Sequence, residues 1–179
     1  MKYMTLTLLA ALTICSAATG QTQEPLRWQV GHSENADEAP RKYVPATVPG
    51  AVQLDIAAAE KYPDPYFADN YKMFGWMEDR YYTYKTTFPK PALKEGETLR
   101  FVSRGIYYRF DIRLNGHPVH NQEGMFTYVD ADLTPWLEDY NTLTVMIHPA
   151  PKRHPSPEDR TQASLSVKPA VSYGWDWHP

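Results

Sequence analysis

From residue 81 onward, apolar and polar positions alternate at the spacing of strands. Tyr108, Phe110, Ile112 and Leu114 interleave with Arg109, Asp111 and Arg113. A period of two turns one face inward and the other to solvent. Asn115-Gly116 follows directly, and this dipeptide favours the positive φ angles of a two-residue type I′ hairpin turn, so Val119 begins a returning strand. Residues 81–88, rich in Tyr and Thr and closed by Pro89 and Pro91, predict another strand. Leu99 and Phe101 flank Arg100 after a turn at Glu95-Gly96, and residues 126–129 and 143–147 are two further strand candidates. Between these last two, Thr134 is placed to cap a single helical turn with Pro135 at its first position.

The N-terminal half reads differently. Trp28 and Val30 suggest a short strand, followed by a loop over residues 34–40. After Pro49-Gly50, the helical spacing of Val52, Ile56 and Ala59 predicts one short amphipathic helix over residues 51–60, stopped by Pro63 and Pro65. Residues 149–157 hold four prolines and predict an exposed, extended loop, after which Leu165 and Val167 restart a strand. Short strands at regular spacing, separated by turn signals, describe an all-β sandwich with one short helix.

Residues 1–20 stand apart. Lys2 precedes the apolar run 6–14, and small residues follow at Ala17 and Ala18. This is the pattern of a secretory signal peptide, and the small-x-small arrangement before Gln21 places the mature start there. The run is too short for a span of roughly 20 apolar residues, so a membrane span is not expected. Leu12-Thr13-Ile14-Cys15 offers a second reading, a bacterial lipoprotein anchor on Cys15, which bulky Ile14 disfavours. Export implies a periplasmic or extracellular location. Cys15 is the single cysteine, so the mature chain is expected to gain its stability from packing rather than from a disulfide. The 42% hydrophobic content of the 179 residues suffices for one packed domain over residues 21–179. The formal net charge of −3 argues against a nucleic-acid partner.

Most of the candidate chemistry falls away on inspection. Tyr81, Tyr82, Tyr84, Tyr107 and Tyr108 read as half-buried strand residues. His117, His120, His148, His154 and His178 lack the ligand spacing of a zinc site, so no metal is expected. There is no Gly-rich phosphate loop and no nucleophile elbow, and no cofactor is implied. Glycoside hydrolysis uses two carboxylates flanking the scissile bond, but Glu78-Asp79 and Glu158-Asp159 read as solvated surface pairs, and no catalytic residue is assigned. Trp175-Asp176-Trp177 is the exception. Two indoles around one carboxylate suit a sugar, whose apolar face stacks on aromatic rings while its hydroxyls donate to the carboxylate. A packed Trp pair with Asp176 capping a turn accounts for the same tripeptide.

An ordered set of motifs resembles the N-terminal region of the β-mannosidases of glycoside hydrolase family 2. It comprises Thr47-Val48-Pro49-Gly50-Ala51-Val52, Pro63-Asp64-Pro65-Tyr66, Asp69-Asn70, residues 76–88, Leu114-Asn115-Gly116, Gly124-Met125-Phe126, Asp132-Leu133-Thr134 and Gly174-Trp175-Asp176-Trp177-x-Pro179. The resemblance covers residues 28–179. It implies a galactose-binding-like jelly-roll domain of an exported, retaining β-glycosidase, followed in the same polypeptide by immunoglobulin-like domains and a (β/α)8 barrel that carries both catalytic glutamates. It also implies that the sandwich is C-terminally truncated here, its last strands lying beyond Pro179, and that the substrate is a terminal β-linked mannoside or related glycan. Trp175, Asp176 and Trp177 take the role of substrate-binding residues, with Asp176 contacting hydroxyls of the terminal sugar. The chain departs from the family pattern at His178, where the family has Gly, and at Gly105-Ile106-Tyr107-Tyr108, which replaces a Gly-Leu-Asp-Thr run. Two alternatives stay open: another family 2 exo-β-glycosidase (glucosaminidase, galactosidase or glucuronidase), or a free-standing carbohydrate-binding module.

Overall fold

A computed structural model describes residues 26–124 and 127–150. Among these residues eight strands are formed: β1 (Trp28–Ser33), β2 (Tyr43–Ala46), β3 (Tyr81–Pro89), β4 (Arg100–Ser103), β5 (Arg109–Leu114), β6 (His117–Glu123), β7 (Val129–Asp132) and β8 (Tyr140–His148). Six of them make one sheet in the order β2-β1-β3-β8-β5-β6, and β4 pairs with β7 in a second, two-stranded sheet. Every pairing is antiparallel.

The core follows from the pleat. Register pairs Phe110 with Ile147, Ile112 with Val145 and Leu114 with Leu143, and pairs Tyr82, Tyr84 and Thr86 with the same three β8 residues. All of these side chains therefore share one face. Phe110, Ile112 and Leu114 are fully buried and pack with Val129, Ala131 and Leu133 from the β7 side of the sandwich. Each such side chain contributes ~1.5–3 kcal/mol on burial, so the alternation in β5 marks the most strongly driven strand. The β2-β1-β3 end of the same face is covered instead by a helix, α1 (Val52–Glu60), and a 3-10 segment, Asn70–Asp79. There Val30, Val44, Ile56, Met77 and Tyr82 form a second cluster. Tyr84 and Ile147 touch both clusters and join them. Burial, with Asp55 as a lesser cause, pushes the Tyr84 phenol up to about 12.

The turn at Asn115-Gly116 is as expected, with φ of 52° and 82°. The remaining differences have local reasons. β2 was not anticipated: it is four residues long and contains Pro45, and as an edge strand it tolerates the missing N–H. The 3-10 segment was also unforeseen, and Tyr82 pins it by donating its hydroxyl to the Met77 carbonyl at 2.8 Å. α1 ends where Lys61 turns left-handed at φ 59°, two residues before Pro63, and its buried residues are Ile56 and Ala57, while Ala59 is exposed. β7 runs over 129–132 rather than 126–129, and Phe126 lies outside the described residues. Thr134 sits inside the short 3-10 turn Thr134–Trp136 rather than capping it. The N-cap is Leu133, without a side-chain cap; Asp132 before it accepts from the Thr134 N–H at 2.9 Å, and the Thr134 hydroxyl, then that N–H, hold its carboxyl below the usual range. The strand expected at Leu165 and Val167 also lies outside the described residues.

Candidate functional site

Antiparallel pairing brings the ends of five strands together at one end of the large sheet. β1 ends at Ser33 opposite Tyr81, where β3 starts. β8 ends at His148 opposite Arg109, where β5 starts, and Arg109 in turn faces Glu123 at the end of β6. Chain segments entering and leaving the sheet thus deliver polar and aromatic side chains to one rim.

The rim is organised by an imidazole-carboxylate pair. His148 Nε2 and Asp111 Oδ2 lie 2.6 Å apart with both side chains largely covered, and the Tyr81 ring meets the imidazole edge-on with centroids 5.3 Å apart. Both residues point to the outer face of the sheet, as the alternation in β5 requires for Asp111. Beside them the Tyr108 hydroxyl donates to Glu123 at 2.8 Å, and the Tyr107 ring packs 6.1 Å from that of Tyr108. Burial, and then the nearby Glu78 carboxylate, raise the Tyr107 phenol above its ordinary value. Tyr107 and Tyr108 lie in the loop before β5 rather than in a strand as expected, and Tyr107 is exposed. Behind the rim, Arg80 bonds Glu34 at 2.7 Å and lies over the Trp76 ring, which packs 4.8 Å from the imidazole of His32. Partial burial, then Arg80, lower the His32 pKa against a smaller opposing effect of Glu60.

Aromatic faces interleaved with carboxylate, imidazole and phenol groups can receive a hydroxyl-rich ligand. No group of three or more His, Cys, Asp or Glu side chains is placed to hold a metal ion among the described residues, and no helix among them is long and apolar enough to cross a membrane. Trp175, Asp176 and Trp177, the substrate-binding residues read from the sequence, lie outside the described residues. The outward position of Asp111 was legible in the period-two pattern. Its pairing with His148, 37 residues away, carried no local signal.

Known proteins match this chain over most of its length. The model of the glycosyl hydrolase 2 galactose-binding domain-like family matches residues 28–179. The chain is 31% identical over 166 residues to beta-mannosidase B of Aspergillus clavatus, and 26% identical over 173 residues to beta-mannosidase B of Emericella nidulans. These matches cover 85% and 88% of the chain but 20% of each relative, so the chain spans about a fifth of their length. The crystal structure of the beta-D-mannosidase of Dictyoglomus thermophilum superposes with a TM-score of 0.66 at 25% identity, over 86% of this chain and 20% of that one.

Proposed function

Because the chain belongs to the glycosyl hydrolase 2 galactose-binding domain-like family, we propose that it is the non-catalytic N-terminal sandwich of an exported, retaining β-mannosidase. The supporting observation is that nearly nine-tenths of the chain matches a fifth of a beta-mannosidase B. On this reading residues 1–20 are a signal peptide and residues 21–179 belong to the sandwich. The catalytic acid/base and nucleophile reside in a (β/α)8 barrel further along the same polypeptide, with immunoglobulin-like domains between. Retention requires two carboxylates about 5–5.5 Å apart, and both would come from the barrel.

Asp176, flanked by Trp175 and Trp177, would contact hydroxyls of the terminal sugar. The polar and aromatic rim fits this reading, since β8 hands the chain on from that end of the sheet at His148. Turnover of aryl β-glycosides by the intact polypeptide tests the assignment. Highest kcat/KM on the β-mannoside, with no turnover by residues 21–179 alone, is expected. Preference for a β-galactoside, β-glucoside or β-glucuronide would replace mannose by that sugar, and turnover by the sandwich alone would overturn the proposal.

A further inference from the structure

The outer face of the six-stranded sheet carries a second, unassigned feature. Gln29 of β1 lies opposite Lys85 of β3, Lys85 opposite Thr144 of β8, and Thr144 opposite Arg113 of β5. At one end of this row a cavity of about 200 Å³ opens between β1 and β3, lined by Arg27, Gln29, Lys85, Thr86 and Thr87. Its position is anchored from the other side of the sheet, where the buried Thr86 hydroxyl donates to the Arg27 carbonyl at 2.9 Å. Arg27 and Lys85 are thereby held as diagonal neighbours across the strand pair.

Diagonal neighbours on adjacent strands lie within reach of long side chains, and among the described residues no carboxylate pairs with either cation. The carboxylates that the described strands turn to this face are Asp111 and Glu123, and they are engaged by His148 and Tyr108. Neither Arg27 nor Lys85 has a carboxylate within ion-pair distance among the described residues. Lys85 instead has its ammonium 5.8 Å from the centre of the Tyr43 ring. In a chain of net charge −3, two cations around one cavity without a carboxylate partner among the described residues favour an anion there.

The other groups around the cavity narrow the class. Gln29 and Thr87 supply neutral donors and acceptors of the kind that pair with hydroxyls. Tyr140 donates its hydroxyl to Thr87 at 3.2 Å and is 63% exposed, so an aromatic face stands at the edge of the cavity. Cavities for drug-sized ligands run to ~300–1,000 Å³, so this one takes a single sugar unit rather than a chain of them. We propose that Arg27, Gln29, Lys85 and Thr87 form a binding site for an acidic monosaccharide unit, a hexuronate or a sulfated hexose, away from the rim of the sandwich. The anionic group sits between the two cations, and the ring hydroxyls reach Gln29 and Thr87.

Saturation-transfer NMR and calorimetry on the intact polypeptide test this, with methyl β-glucuronide and glucose 6-sulfate as probes and methyl β-mannoside and inorganic sulfate as comparisons. Binding of at least one acidic sugar is expected at low salt. It should weaken as salt rises from about 10 to about 150 mM and the screening length falls from ~30 to ~8 Å. Lys85→Gln and Arg27→Gln should each weaken it at least about tenfold, the loss of one charge-assisted contact, while Lys85→Arg retains it and aryl β-glycoside turnover stays unchanged in all three. Arg27→Gln alters a side chain outside the strands, so it keeps the test open if a Lys85 variant melts early. Equal binding in the wild type and both Gln variants, or no acidic sugar bound, overturns the site. Sulfate competing as well as the acidic sugars overturns the sugar assignment and leaves an inorganic ion site.

Discussion

Asn141 is the buried polar residue on which one end of the sandwich turns, and its removal has a calculable cost. It is 0% exposed. Its amide donates to the Glu138 carbonyl at 2.8 Å, and its oxygen accepts from the Glu138 N–H and from Asn115 Nδ2, both at 2.9 Å. Asn115 in turn accepts from the Thr142 N–H at 2.8 Å and donates to the Trp136 carbonyl at 2.9 Å, holding the β5-β6 hairpin turn against the loop before β8. Net contributions of ~0.5–1.5 kcal/mol per hydrogen bond place three bonds at no more than ~4.5 kcal/mol. Glu138 is exposed, so water recovers part of that loss, and ~2–3 kcal/mol is the expected destabilisation for Asn141→Ala. If local opening carries this cost, amides in residues 136–142 should exchange ~30–150-fold faster by hydrogen-exchange mass spectrometry. Glu138→Gln, which keeps the backbone groups, should leave exchange unchanged. Wild-type protection of residues 136–142 in Asn141→Ala would refute the network as a structural hinge.

Two more predictions concern the β1 side of the sheet. A Cβ at Gly31 would sit 2.5 Å from both the Lys42 carbonyl oxygen and Pro40 Cβ, so Gly31→Ala should destabilise by ~1–3 kcal/mol through overpacking, read as a lower urea midpoint at unchanged slope. His32 has its pKa lowered from 6.5 in the folded state. The unfolded chain therefore binds the proton more readily, and stability is full above pH 6.5, falls as the pH drops through the folded value, and levels off below it. Melting temperatures across that window should flatten in His32→Gln, and an undiminished slope would assign the dependence to another group.

The parts of the fold legible in the sequence are those set by neighbours along the chain. Alternation from Tyr108 to Leu114 and the Asn115-Gly116 turn announced β5, the hairpin and the inward residues Phe110, Ile112 and Leu114, because pleat and turn chemistry are local. The partition into six and two strands was not legible, since β8 pairs with β3 and β5 over long sequence separations that leave no periodic trace. β2 and the 3-10 segment escaped notice because Pro45 and the mixed composition of residues 70–79 mask them. For the site, the polarity of β5 marked Asp111 as outward but could not reveal His148, and the cavity at Arg27 and Lys85 exists only once β1 and β3 are side by side. The family match spans the same residues 28–179 as the sequence resemblance, while the roles of Trp175, Asp176 and Trp177 rest on the sequence reading.

The most direct measurement is the kinetics of Asp176→Ala in the intact polypeptide on an aryl β-mannoside. A carboxylate bonded to a sugar hydroxyl contributes at least ~1.5 kcal/mol. A loss of more than ~10-fold in kcat/KM is therefore expected, at unchanged melting temperature. Wild-type kcat/KM in a folded Asp176→Ala enzyme would contradict the proposed role of Asp176 at the substrate.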